Sequence, residues 1–252
     1  MMAEFHREIV FESVSNFRDI GGYRTRDGYT VAWRRLFRSG ELCNISRCDF
    51  DKLRGEIGIA SVIDLRSDFE VKRRGVGLIG ESNIKYYNVS FIPDGGEEKA
   101  NERRYEKFTN MGEFYIDLLS QKGFGRRIVE ALEIISEPRN HPLVFHCAAG
   151  KDRTGILAAA LLSILGVTDK EIKSDYCLSG PYIAEVIRRF KSQSTMPDDL
   201  KNLPDFFWEA TPESIAQLLD ALRNEYSSVL GYLEAQGASS SLFNRLKTIL
   251  LH

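Results

Sequence analysis

The sequence predicts an α/β fold: a central, mostly parallel sheet of about four or five strands flanked by helices, with a helical final third. Three observations carry this. Short β-branched runs alternate with amphipathic stretches through the first two thirds of the chain. Two of those runs are apolar nearly throughout, as in strands covered on both faces. After Val167 apolar residues recur at helical spacing. A chain of 252 residues buries about three quarters of the surface it exposes when unfolded, so a single domain spanning 1–252 needs no disulfide or metal to hold its core.

In chain order, residues 35–38 (Arg-Leu-Phe-Arg) form a weak strand candidate and 59–65 (Ile-Ala-Ser-Val-Ile-Asp-Leu) a strong one. Residues 86–91 (Tyr-Tyr-Asn-Val-Ser-Phe) are a third candidate. The turn signal Pro93-Asp94-Gly95-Gly96 then opens a strongly charged run, 97–107, read as a solvated lid or insertion around 95–125. From 112 to 136 the spacing of Phe114, Leu118, Leu119, Ile128, Leu132 and Ile135 gives one or two helices. Residues 142–146 (Pro-Leu-Val-Phe-His) are the second strong strand, followed by an Ala- and Leu-rich buried helix over 155–165. The helical region 167–252 holds two helices, 169–178 and 182–190, broken at Gly180-Pro181. Thr211 caps a third, with Pro212 at its first position, running to about Leu233. A terminal helix over 239–251 presents Leu242, Leu246, Ile249 and Leu250 on one face.

The charge balance, 34 Lys+Arg against 36 Asp+Glu for a net −2, argues against a nucleic-acid partner, because phosphate contacts normally leave a basic excess. No apolar run reaches the ~18–20 residues that span a bilayer, so stable membrane insertion is not expected. The start, Met1-Met2-Ala3-Glu4-Phe5-His6-Arg7-Glu8, lacks the layout of a secretory leader and points to the cytoplasm, with export by another route as the alternative. Cys43, Cys48, Cys147 and Cys177 are too few and too irregular for a disulfide framework, and no Cys-x-x-Cys pair suggests zinc. They are read as reduced thiols, and neither metal nor cofactor is expected.

The stretch that carries chemistry is His146-Cys147-Ala148-Ala149-Gly150-Lys151-Asp152-Arg153-Thr154-Gly155, where a buried strand ends in a small-residue loop that opens a helix. Such a loop collects backbone N–H groups without intrahelical partners and adds the positive end of the helix dipole, which makes it an anion site. Phosphate is the anion that fits. Arg153 brings a planar fork suited to bidentate N–H···O bonds. Cys147 brings a nucleophile whose thiolate form is favoured at a helix N-terminus beside cations. Spacing alone is uninformative, since Cys48 and Arg54 share it, but that run holds two aspartates and no glycine and follows no apolar strand. It is read as surface structure.

The ten residues from His146 resemble the phosphate-binding loop of the cysteine-dependent protein tyrosine phosphatase superfamily. The similarity extends to 16–23 (Asn-Phe-Arg-Asp-Ile-Gly-Gly-Tyr), 36–40 (Leu-Phe-Arg-Ser-Gly), 63–67 (Ile-Asp-Leu-Arg-Ser) with Glu70, and 226–250. Together these resemble its bacterial branch of tyrosine, serine and lipid phosphatases. The resemblance implies a tyrosine phosphatase-like fold and a metal-independent, two-step hydrolysis of phosphorylated proteins or phosphoinositides. In it Cys147 attacks phosphorus to form a phosphocysteine, which water then cleaves. Arg153 would hold the phosphoryl oxygens, and the backbone N–H groups of Ala148, Ala149, Gly150, Lys151, Asp152 and Arg153 would complete the cradle. Gly150 would permit an inward turn, Thr154 would hydrogen-bond the Cys147 sulfur, and His146 would brace the loop. The Lys151 charge would suit multiply phosphorylated substrates.

A general acid must protonate the leaving oxygen. The Trp-Pro-Asp motif of better-known tyrosine phosphatases is absent, since Trp33 is followed by Arg34 and Trp208 by Glu209. Asp152 is the first candidate: a carboxylate inside an anion cradle is unfavourable unless it has a role or an ion-pair partner. Asp94 is the second. Asp64, Arg66, Arg18 and Asp19 are read mainly as scaffold ion pairs, and Cys43 and Cys177 as core or bystander thiols. The competing functions are a non-catalytic phosphate-binding module and, more remotely, a sulfurtransferase with its cysteine in a similar loop. The latter leaves Arg153-Thr154 without a role.

Overall fold

The structure, a computed structural model, describes residues 6–92, 107–193 and 203–252. Among the described residues, five strands form one sheet: β1 (Arg18–Asp19), β2 (Leu36–Ser39), β3 (Ser61–Asp64), β4 (Lys85–Asn88) and β5 (Leu143–His146), in the order β1-β2-β5-β3-β4. Only β1 runs antiparallel; β2, β5, β3 and β4 are parallel neighbours. The central strand β5 is flanked by β2 on one side and β3 on the other, with Phe37, Val144 and Val62 in one row. All three strands end at the same edge, at Ser39, His146 and Asp64. The segment that follows β2 packs Phe50 and Leu53 on one face of the sheet, whereas the segment that follows β5 packs Ile156 and Leu157 on the other, and open parallel sheets hold ligands at such a crevice.

Alternation along the strands builds two hydrophobic layers. Leu36, Ile63, Leu143 and Phe145 face one core, shared with α3 (Met111–Ser120), α4 (Phe124–Ile135), α5 (Asp152–Ile164), α6 (Asp169–Cys177), α8 (Pro212–Tyr226), α9 (Val229–Ala235) and α10 (Ser240–Leu250). Phe37, Val62 and Val144 face the other, made with Phe17, Leu42, Phe50, Leu53, Ile57 and Ile84. Those residues come partly from α1 (Arg47–Asp51) and the wide turn Lys52–Ile57 that continues it. The Cys48 run is thus a helix with an exposed cysteine and a buried Phe50 and Leu53.

Several boundaries differ from the sequence reading. Helix α5 begins at Asp152, three residues before the expected Gly155, so Asp152, Arg153 and Thr154 occupy its first turn. Gly155 N–H already donates to the Lys151 carbonyl at 2.7 Å. The break after α6 falls at Leu178-Ser179, and α7 (Gly180–Gln193) takes Pro181 into its first turn, where a missing N–H costs nothing. The helix expected from Pro212 to Leu233 is two: Ser227 adopts a left-handed conformation (φ 65°), and the Ser228 hydroxyl caps α9 by accepting from Gly231 N–H at 2.9 Å. Helix α2 (Asp68–Arg74) was not expected at all; none of its residues is buried, so it carries no apolar stripe to read. Of the expected lid or insertion, 93–106 lie outside the described residues, whereas α3 buries Met111, Phe114, Tyr115 and Leu118 in the core. No helix among the described residues is long and apolar enough to cross a membrane.

Candidate active site

The loop 147–151 leaves β5 at the edge shared by Ser39 and Asp64 and enters α5. Its carbonyls are each held from outside. Ala148 O accepts from Glu41 N at 2.9 Å, Ala149 O from Asn16 Nδ2 at 3.0 Å, and Gly150 O from Arg38 Nη2 at 2.8 Å. Because a trans peptide points the next N–H opposite to its carbonyl, these tethers aim the N–H groups of Ala149, Gly150 and Lys151 the other way, into the loop. Among the described residues, the backbone N–H groups of Ala148, Ala149, Gly150, Lys151, Asp152 and Thr154 donate to no protein acceptor. Orphan donors at a helix N-terminus are an anion cradle.

Gly150 is indispensable to that shape. Its φ is +69°, and a Cβ there would lie 2.4 Å from the Ser39 carbonyl oxygen. Both the conformation and the space exclude a side chain, so Gly150→Ala is expected to cost about 2–4 kcal/mol of stability. A thermal-unfolding comparison with wild type checks this, and an unchanged melting temperature contradicts it.

The layer beneath the loop is charged and buried. Arg18 and Arg38 both pair with Asp175, at 3.2 and 2.5 Å, and all three side chains are shielded from solvent. Arg18 also donates to the Asn16 side-chain oxygen, fixing the amide that holds Ala149 O. Burial pushes the Arg38 guanidinium down, and neighbouring Arg18 adds to that against the pull of Asp175, to about 10. Burial would raise the Asp175 carboxyl, but the two guanidiniums hold it far below its usual range. Two cations against one carboxylate leave positive charge behind the cradle. Arg18 is thus a scaffold ion pair as expected, and Asp64 likewise is forked by Arg66 at 2.6–3.0 Å. Asp19 departs from that reading, since it accepts backbone N–H bonds from Gly21 and Arg34 at 2.7 Å.

His146 is buried beside the cysteine, with Nδ1 donating to the Cys147 carbonyl at 3.0 Å and Nε2 3.8 Å from Asp64 Oδ2. Burial lowers its pKa despite the Asp64 charge, so the ring is neutral and braces the loop from behind. Cys147 is itself buried, 2% exposed. Arg153 reaches across to α2, where it forks the Glu70 carboxylate at 2.5 and 2.9 Å. Glu70 is locked from the other side by a capping box: its Oε2 accepts from Ser67 N–H at 2.7 Å, while the Ser67 hydroxyl accepts from Glu70 N–H at 3.2 Å. Burial would raise the Glu70 carboxyl, but the Arg153 charge and these hydrogen bonds bring it down to about 2. Glu70 therefore presents a fixed anion that orients the guanidinium. Ser67-x-x-Glu70 is a capping-box signature legible in the sequence, and it could have identified both α2 and the partner of Arg153.

Two expectations are corrected. The Lys151 side chain does not stand free in the cradle: it is buried, and its ammonium donates to the carbonyls of Phe207 and of Glu209 (3.0 Å), over the Phe207 ring. A buried ammonium must find acceptors, and the turn Asp205–Trp208 supplies them. Only the Lys151 backbone N–H belongs to the cradle. The Thr154 hydroxyl is buried and makes no hydrogen bond, to Cys147 or otherwise. With α5 beginning at Asp152, Thr154 has helical backbone, and the first turn sets its side-chain direction. Asp152 sits at the loop's exit with Oδ1 accepting from Tyr115 OH at 2.5 Å and lying 3.4 Å from Lys151 Nζ. Asp94 lies outside the described residues.

Residues 9–252 match the sequence model described as "Tyrosine phosphatase family". The chain is 27% identical to the triple specificity protein phosphatase PtpB of Mycobacterium tuberculosis over 94% of its own length and 96% of that protein. It is 30% identical to the inositol diphosphatase DSP2 of Arabidopsis thaliana over 36% of its length and 30% of the relative's. Among solved structures, the core catalytic domain of the PP-IP phosphatase SIW14 from S. cerevisiae aligns with 66% of this chain and 83% of that one, at 19% identity and a TM-score of 0.37.

Proposed function

The chain belongs to the tyrosine phosphatase family and is a phosphatase, and from that premise we propose that it hydrolyses phosphotyrosine, together with phosphoserine/threonine or phosphoinositides, through a phosphocysteine on Cys147. The observation that carries this reading is the loop whose carbonyls are tied outward, leaving the N–H groups from Ala148 to Asp152 for an anion directly beside a cysteine.

In the first step the Cys147 thiolate attacks phosphorus, the P–O bond to the leaving group breaks, and Asp152 gives its proton to the departing oxygen. In the second, water attacks phosphorus, the P–S bond breaks, and the Asp152 carboxylate takes the proton from water. Arg153 and the loop N–H groups stabilise the charge that builds on the equatorial oxygens, preorganised donors that need no reorganisation. Breadth of substrate draws on the relatives, one named for triple specificity and one for inositol diphosphate. The Lys151 charge does not support it, because that ammonium is engaged by carbonyls. A free cysteine nucleophile is kept reduced most readily in a reducing compartment, and the cytoplasm is part of the proposal.

The acid assignment has its own test. Asp152→Asn should slow hydrolysis of a phosphoserine peptide by about 10²–10⁴-fold while slowing an aryl phosphate with a good leaving group far less. Equal slowing of both in steady-state kcat/KM would remove Asp152 from the proton transfer and leave Asp94 to be tried. The function as a whole is tested by phosphate release in the presence of chelator on matched phosphotyrosine, phosphoserine and phosphoinositide substrates. No release from any of them would contradict it.

A further inference from the structure

Asp152 is the terminus of a hydrogen-bond chain that the reaction as described above does not use. Tyr115 on α3 places its hydroxyl 2.5 Å from Asp152 Oδ1, and Tyr176 on α6 places its own 2.6 Å from Tyr115 OH. The rings meet edge to face at 6.2 Å, and both are almost wholly buried. The direction of the chain is fixed by its end. An ionised carboxylate only accepts, so Tyr115 donates to Asp152 and Tyr176 donates to Tyr115. Burial and the neighbouring Asp152 charge both raise the two phenols, which keeps them protonated as donors.

The two Asp152 oxygens are consequently inequivalent. Oδ1 takes the Tyr115 hydroxyl and the Lys151 ammonium at 3.4 Å; among the described residues Oδ2 takes no protein hydrogen bond. Lys151 cannot swing away, because the carbonyls of Phe207 and Glu209 hold it. We propose that Tyr115, backed by Tyr176, is the positioning residue of the proton transfer: it holds Asp152 by Oδ1 and leaves Oδ2 as the oxygen that carries the proton to the leaving group and later takes one from water. This rests on the reading of Asp152 as the general acid. A side chain with a free χ2 would present either oxygen in turn; one locked through Oδ1 presents the reactive oxygen continuously, the advantage of a prepositioned acid.

Among the described residues the groups facing this carboxyl are Tyr115 from α3, Tyr176 from α6 and Lys151 from the loop. Arg38 on β2 and Cys177 bear on Tyr176, and the adjoining Arg153 is committed to Glu70. The test is Tyr115→Phe, measured as kcat/KM on a phosphoserine peptide and on an aryl phosphate with a good leaving group. The ratio of aryl to phosphoserine turnover should widen about tenfold. Tyr176→Phe keeps the Tyr115–Asp152 bond and weakens its donor, so it should widen the ratio by less, and it decides the matter if Tyr115→Phe does not fold. A wild-type ratio in the folded variants, with only the melting temperature lowered, is what purely structural tyrosines give and overturns the inference. Asp152→Asn, run alongside, separates the failures. If it discriminates between leaving groups while the tyrosine variants do not, only the role of Tyr115 falls; if it does not discriminate, the acid reading falls and takes the inference with it.

Discussion

Cys147→Ser is expected to abolish turnover, by roughly four orders of magnitude or more, the scale on which loss of a covalent nucleophile acts. The substitution is nearly isosteric and leaves the cradle intact, because its donors are backbone N–H groups held by Glu41, Asn16 and Arg38 rather than by the sulfur. What disappears is the sulfur nucleophile, and a serine hydroxyl in its place has no adjacent base to activate it: His146 donates Nδ1–H to a carbonyl and turns Nε2 towards Asp64. Inorganic phosphate should therefore still bind the variant with affinity within a few-fold of wild type, by calorimetry. Retained hydrolysis of an aryl phosphate in the presence of chelator would remove Cys147 from the chemistry. Loss of phosphate binding along with turnover would instead show that the sulfur shapes the cradle.

Arg153→Lys is expected to be the next most damaging change, at about 10³-fold in kcat, although it preserves charge. The geometry explains why lysine does not substitute. The guanidinium is held by two parallel bonds to Glu70, at 2.5 and 2.9 Å, and Glu70 is in turn pinned by the Ser67 capping box. A planar fork so held by one pair of N–H groups keeps its plane while the others meet phosphoryl oxygens. An ammonium has neither the plane nor the reach, and it leaves the partly buried Glu70 carboxylate with one poorly directed partner. Steady-state kinetics on a single aryl phosphate suffice, and a loss smaller than tenfold would mean that Arg153 contributes charge alone.

The residues that made the site legible in the sequence were those whose neighbours in the chain are also their neighbours in space. An apolar strand, a glycine needing positive φ, and a helix start follow one another from Leu143 to Ile156, so the cradle could be read from a single window. The four strands of useful length were likewise visible as short runs of apolar or aromatic residues, whereas β1 is only two residues long and offers no period to detect. What escaped is what depends on distant segments. Lys151 is turned away by carbonyls at Phe207 and Glu209, and nothing local to the loop announces them. Asp152 was singled out as a carboxylate needing a partner; its partner proved to be Tyr115, a core residue of a helix 37 positions earlier. Asn16 and Arg38 were visible only through family resemblance, because their task, holding carbonyls of the loop, leaves no local pattern.

The central claim is a phosphoryl group carried on the sulfur of Cys147, and its most direct measurement is acid-quench mass spectrometry of the enzyme mixed for milliseconds with an aryl phosphate. The account predicts one phosphoryl mass on the peptide that contains Cys147, appearing before steady state and absent from Cys147→Ser. An actively hydrolysing enzyme that never carries phosphate on that peptide, or carries it on another residue, would contradict it.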